Sequence, residues 1–397
     1  MQTVGVICEY NPFHTGHAWQ LAELRRRFGN DTAVVCAMSG NFVQRGECAV
    51  VRKHVRAEAA ILGGADLVLE LPLPWAISSA EGFARGGVEV LAGAGVVDML
   101  AFGSECADTE RLVRAADALL SPGFSEALKA ELVKGDSFAS ARQRAAARCG
   151  AEAELLANPN DILGVEYIKA LRTLGRGIAP LALPRFGTAH DGAPAGDYAS
   201  ASYIRAHIED GAERYLTDEM RRLYAAERAA GRAPVRLEAA ERAVLARLRT
   251  MTEDDFAAYD EGGEGLYHRF YQASRTAVSL EGLLDAVKTK RYAHARLRRM
   301  LLAIYLGISP AERPSRVPYL RVLAMDDKGK TLLHEMRRKA TLPVVIRPTD
   351  ARNLSSDARR LMETEARATD LYALSCPDLA QSAGGSEWTT SPVIAER

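Results

Sequence analysis

No two of the six cysteines in the 397-residue chain form a Cys-x-x-Cys pair. Cys8, Cys36, Cys48, Cys106, Cys149 and Cys376 are scattered, which excludes a zinc ribbon or a disulfide framework. Cys8 and Cys36 lie inside apolar runs, where cysteine serves as a small buried hydrophobe. Net charge is lacking too. The 51 basic and 51 acidic residues cancel, so any nucleic-acid site must be a local patch. No apolar stretch approaches membrane-spanning length, and the N-terminus lacks a charged-then-apolar signal pattern. A cytoplasmic protein with reduced thiols and no membrane partner is expected.

What is present is an alternation of strand and helix signals. Apolar runs at Thr3 to Cys8, Ala33 to Met38, Asp66 to Pro72, Val96 to Phe102 and Gly177 to Leu183 read as five strands. Helical patterns separate them, including Leu21, Leu24 and Phe28, Lys53 to Leu62, Ala80 to Leu91, and an excursion over Thr109 to Cys149. Near-continuous apolar strands between helices predict an α/β fold, a Rossmann-like doubly wound parallel five-stranded sheet. Beyond residue 211 the strand signals give way to Ala, Leu, Arg and Glu at helical spacing, as in Leu297, Met300, Leu301, Ile304 and Ile308. Three segments are therefore expected: an α/β domain over 1–210, an α-helical domain over 211–340, and a small appendage over 341–397. That appendage carries a strand near Pro343 to Ile346, a helix near Ala358 to Ala366, and a tail rich in Ser, Gly and Thr that should fray.

The chemistry is expected at Asn11-Pro12-Phe13-His14-Thr15-Gly16-His17, directly after the first strand. A helix starting there offers free N–H groups and a positive dipole end to an anion such as phosphate. Gly16 lets backbone approach a ligand without a Cβ in the way. Imidazoles at His14 and His17 can donate to phosphate oxygens and stabilise charge during an in-line displacement. No metal site is expected, because two histidines without a third ligand make a poor zinc set.

The H-x-G-H turn resembles the signature of the nucleotidylyltransferase superfamily. The longer run Glu9 to His17 resembles the bacterial tRNA(Met) cytidine acetate ligase family. So do Met38 to Glu47, Asp66 to Pro72, Phe102-Gly103-Ser104-Glu105 and Pro159 to Gly164, in that order. The resemblance covers residues 1 to about 350. It implies activation of acetate with ATP as acetyl-adenylate, then acetylation of the exocyclic amine of the wobble cytidine in elongator tRNA(Met). It also implies that Ile7, Cys8, Glu9, Tyr10, Asn11, Pro12, Phe13, His14, Thr15, Gly16 and His17 line an ATP pocket with Gly103, Asn160 and Arg185. His14 and His17 would face the α-phosphorus, and the superfamily strand order 3-2-1-4-5 would bring Gly103 beside them. Ser200 to Arg205 resembles the superfamily's late phosphate-binding signature, which adds Ser202. Mg²⁺ is expected with ATP on general grounds, and no tightly bound cofactor.

Two further segments invite roles. The polar loop Ser39 to Glu47, with Lys53 and Arg56 just beyond, is a reasonable place for acetate or cytidine recognition. The basic helix expected over Ala286 to Met300 has six Lys or Arg and no acid. Lys288, Lys290, Arg291 and Arg298 suit an RNA backbone, and Tyr292 could stack on an unpaired base. Two other classes compete with the ligase: a small-molecule adenylyl- or cytidylyltransferase, and a non-catalytic RNA-binding protein on a nucleotide-binding fold.

Overall fold

The computed structural model describes residues 1–135, 137–175, 177–185, 196, 198–261, 263 and 265–396. Its strands are β1 (Thr3–Cys8), β2 (Ala33–Ser39), β3 (Phe42–Val43), β4 (Glu47–Cys48), β5 (Leu67–Leu71), β6 (Met99–Ser104), β7 (Ala179–Pro184), β8 (Leu320–Met325), β9 (Val344–Val345) and β10 (Val393–Ile394). The five strands expected from the N-terminal half are β1, β2, β5, β6 and β7, and they lie side by side in parallel as β5-β2-β1-β6-β7. Every residue of β1 and β2 is buried. Such strands form where helices cover both faces of a parallel sheet.

One face of the sheet packs Ile7, Val35, Leu69 and Leu100 against the helices Ala80–Ala94, Thr109–Leu120 and Pro159–Leu174. The other packs Val4, Val6, Cys36 and Val68 against Thr15–Phe28, Lys53–Leu62 and Asp218–Ala229. A third core gathers helices between 241 and 306 and reaches Phe42, Cys48, Leu73 and Ile77 from the α/β layer.

The sheet does not stop at five strands. β8 pairs antiparallel with β5, and β9 and β10 each pair parallel with β8. All three segments expected from the sequence thus contribute strands to one sheet. The tail expected to fray is held at Val393 and Ile394, because Ala324 and Met325 at the sheet edge offer backbone partners. β8 (Leu-Arg-Val-Leu-Ala-Met) is a strand that the sequence pattern does not announce. It is a short, fully buried run, apolar but for Arg321 and without alternation, which periodicity alone does not separate from a buried helical turn.

Candidate active site

β1 ends at Cys8, and the chain then turns through Tyr10, a buried residue held at φ 45°. Tyr10 meets the Phe13 ring edge-on at 4.9 Å and the His17 ring at 4.8 Å, so packing fixes this unusual backbone. Asn11 Oδ1 accepts from the Val50 amide at 2.8 Å, tying the turn to the strand-two loop. The helix Thr15–Phe28 opens on His14 as its N-cap.

The capping bonds fix the histidine tautomers. The Gly16 amide donates to His14 Nδ1 at 3.1 Å, and the His14 amide donates to His17 Nδ1 at 3.3 Å. With both Nδ1 atoms accepting, the ring proton of each neutral imidazole sits on Nε2. The rings stack with centroids 3.7 Å apart. Burial, reinforced by Arg185 and Arg205, pushes His14 down to about 3. Burial, His14 and Arg185 hold His17 well below the usual range. Two neutral Nε2–H donors therefore stand at a helix N-terminus that has no acid in its first turn. That is an anion-facing arrangement.

They line a crevice of about 280 Å³ at the carboxyl ends of β1, β6 and β7, where open α/β sheets bind ligands. Ile7, Cys8, Glu9, Tyr10, Asn11, Gly16, Gly103, Asn160 and Arg185 line it with the two histidines. A Cβ added to Gly103 would meet no heavy atom within 4 Å, so the space over this residue is open. Glu105 organises the far wall. Its carboxylate accepts from Asn160 Nδ2 at 2.6 Å and from the Asp161 amide at 2.9 Å, and stands 3.9 Å from Arg185 Nη1. Four expected residues do not line the crevice: Pro12 and Phe13 are buried in the turn, and Thr15 and Ser202 lie off the lining. Phe13 instead fills the space beside Gly63, where an added Cβ would come within 2.3 Å of its ring.

Three lining residues outside the expected ATP set are cations or neighbours of cations. Arg205, one turn into the helix Ala201–His207, donates from Nη1 to the Asn11 carbonyl at 3.0 Å. Gln44 and Arg45 come from the loop after β2. Of that loop's expected helpers, Lys53 and Arg56 are buried and engaged by protein. Arg56 donates to the carbonyls of Val51, Ser39, Glu9 and Gly40, clamping the ends of β1 and β2 together. Neither is available to acetate or cytidine.

The basic segment also differs from expectation. It is not one helix: Leu280–Val287 ends, a loop follows, and His294–Leu306 begins. Tyr292 is buried under the Arg296 guanidinium, 5.0 Å from the ring centroid, so its ring packs in the helical core instead of facing a base. Lys288 Nζ donates to the carbonyls of Thr289 and Tyr292 and closes its own loop. Arg298 pairs with Glu47 at 2.6 Å, and Arg299 donates to the Gln44 carbonyl at 3.3 Å. Gly46 permits this docking: at φ 76°, an added Cβ would sit 2.5 Å from the Arg299 amide nitrogen. Lys290 and Arg291 remain exposed.

A strand-turn-helix with paired histidines at the head of a parallel sheet defines a nucleotidyl transferase of the HIGH type. A family model of that description, HIGH Nucleotidyl Transferase, matches residues 1–387. The tRNA(Met) cytidine acetate ligase of Acetivibrio thermocellus is 35% identical over 99% of this chain and 100% of the relative. That of Caldanaerobacter subterraneus is 36% identical over 96% of this chain and 97% of its own. Thermotoga maritima TmcAL superposes with a TM-score of 0.94 in its apo form and 0.92 bound with alpha-thio ATP, at 33% identity and 99% coverage of both chains. The chain belongs to the HIGH nucleotidyl transferases and, among them, to the tRNA(Met) cytidine acetate ligase family.

Proposed function

We propose that this protein activates acetate with ATP, forming acetyl-adenylate and pyrophosphate, and transfers the acetyl group to the N4 amine of the wobble cytidine of elongator tRNA(Met). The observation that carries the reading is the pair of neutral Nε2–H histidines at the mouth of the first helix. Acetate oxygen attacks the α-phosphorus, and the crowded transition state gathers negative charge on its oxygens. His14 and His17 stabilise that charge as neutral donors, with Arg185, Arg205 and the helix terminus supplying positive potential. Mg²⁺ enters as part of the MgATP substrate, carried on phosphate oxygens.

Adenosine lies along Ile7, Gly103 and Asn160, where the open space over Gly103 admits it. A walled crevice then protects the mixed anhydride from water until the amine arrives. Residues 1–210 supply this chemistry, and the helices of 211–340, through Lys290 and Arg291, contact tRNA backbone. Full-length relatedness to named tRNA(Met) cytidine acetate ligases supports the choice of acid and acceptor. Its test is acetate-dependent ATP–pyrophosphate exchange, followed by acetylation of tRNA(Met) transcripts with and without the wobble cytidine. Exchange driven by a phosphate ester and not by acetate would reassign the protein to small-molecule nucleotidyl transfer. Absence of all exchange would leave an RNA-binding protein.

A further inference from the structure

The second half-reaction needs a proton acceptor. As the cytidine N4 lone pair attacks the acetyl carbonyl, a C–N bond forms, the C–O bond to AMP breaks, and one amine proton must leave. The histidines do not serve in this geometry. Each uses Nδ1 to accept a backbone amide and carries its proton on Nε2, so neither presents a free lone pair to the crevice. Among the described residues lining the crevice there is one carboxylate, Glu9.

Resting on the ligase reading above, we infer that Glu9 is the general base that takes the N4 proton during acetyl transfer. Its position follows from β1: it directly follows the strand, one residue past Cys8 and five before His14. The Gln44 amide donates to Oε1 at 2.7 Å and fixes the side chain against the loop after β2. That bond occupies Oε1 and leaves Oε2 as an acceptor. The same Gln44 receives Arg299 on its carbonyl, and Glu47 three residues on receives Arg298. The base is thus braced through one loop to the helix His294–Leu306, which carries the second half of the basic segment.

Charge around Glu9 comes from every side: Arg56 from the helix Lys53–Leu62, Arg45 from the loop, Arg205 from the helix Ala201–His207. Tyr167 also interacts with it electrostatically, and the two histidines share its wall. Burial outweighs the Gln44 hydrogen bond and the three arginines and raises Glu9 above the usual carboxylate range. A more basic carboxylate is a better proton acceptor. After transfer the proton passes to solvent through the crevice mouth as AMP and the acetylated tRNA depart.

The test uses the full-length protein in two assays: acetate-dependent ATP–pyrophosphate exchange, and single-turnover transfer from enzyme loaded with acetate and MgATP to tRNA(Met). Glu9→Gln keeps an oxygen for the Gln44 amide, and thermal melting checks that it folds. Transfer is expected to fall by about 100-fold or more while exchange falls far less. Wild-type transfer should also decline as pH is lowered through a value above the ordinary carboxylate range, and that limb should vanish in Glu9→Gln. Glu9→Asp, which retains a carboxylate set back by one methylene, should keep the limb with a partial rate.

Equal losses in both assays overturn the assignment and make Glu9 part of nucleotide binding. So does recovery of Glu9→Gln exchange in excess Mg²⁺ or Mn²⁺, which would mark a metal ligand. Unchanged transfer with the limb intact overturns it as well. Failure of the wild-type protein to exchange with acetate, or to acetylate tRNA, sinks the underlying ligase reading instead.

Discussion

Two dense groups of charge sit at the carboxyl ends of the sheet, and they have opposite fates. In the crevice, donors, cations and one carboxylate face space: two Nε2–H groups, Arg185, Arg205 and Glu9 surround about 280 Å³. About the strands β5 and β8, Lys53, Glu70, Arg321, Glu365 and Glu387 face one another with almost no room between them. Lys53 Nζ reaches Glu70 at 2.7 Å and Glu387 at 2.6 Å, and all three groups are buried. Three carboxylates meet two cations there. Burial and Glu70 raise Glu365 to about 8, so it carries a proton at neutral pH and the cluster comes to balance. A charge whose partners are all protein is structure. A charge turned toward open space is available for chemistry.

Breaking the closed cluster should have the largest effect on stability. Lys53→Met leaves Glu70 and Glu387 buried with Arg321 as their one remaining cation, a loss of about 3–5 kcal/mol. Denaturant melting would show it, and a change under about 1 kcal/mol would mean that water reaches the cluster. The pH dependence follows from the directions of the two shifts. Glu387, lowered to about 2 with Lys53 and Arg321 outweighing its burial, contributes stability above the unfolded carboxylate value and loses it as pH falls toward 2. Glu365, raised, contributes below its unfolded value and loses that contribution as pH rises through about 8. Wild-type protein should therefore lose up to about 1.4 kcal/mol per pH unit between the unfolded carboxylate value and about pH 8 and level off above it, a slope that Glu365→Gln removes.

Opening the contrast from the other side, His14→Ala and His17→Ala should each lower acetate-dependent exchange by about 100- to 1000-fold. His14→Ala should also cost about 1 kcal/mol of stability as a lost helix cap. If exchange survives while stability collapses, the histidines belong with Lys53 as structure.

The two regions also differ in how far the sequence reveals them. The histidine turn is local: seven consecutive residues specify strand end, bend, cap and donors, so its place in the crevice is readable from the chain itself. Gly103, Asn160 and Arg185 follow from family resemblance, and all three line the crevice. The closed cluster is non-local. Lys53 and Glu387 are 334 residues apart, and nothing near either names the other. The same holds for Arg298 and Glu47, 251 apart. A run of basic residues reads as a solvated or RNA-facing surface, yet Arg298 and Arg299 dock the helical layer onto the crevice loop. Tyr292 reads as a base-stacking ring because aromatic burial depends on neighbouring helices, here Leu280–Val287 and His294–Leu306. The fold shows the same split: five strands with regular spacing and the short strand expected near Pro343 to Ile346, which is β9, are readable, whereas β8 and β10, and the joining of all three to the sheet, depend on long-range pairing.

A smaller effect tests the open space directly. Gly103→Val branches from a Cβ position with no heavy atom within 4 Å, so the melting temperature should hardly move. KM for ATP should rise by about tenfold, equivalent to about 1.4 kcal/mol of nucleotide binding. A large drop in melting temperature would place Gly103 in the packing instead.

The smallest effect concerns the exposed remainder of the basic segment. Lys290 and Arg291 stand apart from the Arg298–Glu47 and Arg299–Gln44 links, at the loop between two helices. Reversing both to glutamate should weaken tRNA binding several-fold at low salt. The slope of log binding constant against log salt should lessen by about 0.7–0.9 for each phosphate that the variant no longer neutralises. Exchange, which needs no tRNA, should move far less. Arg298→Ala makes the informative contrast: it releases Glu47 and the loop that carries Gln44, so it should disturb exchange as well as binding. If the two variants behave alike, the basic segment acts as one surface, and the division between docking arginines and exposed cations fails.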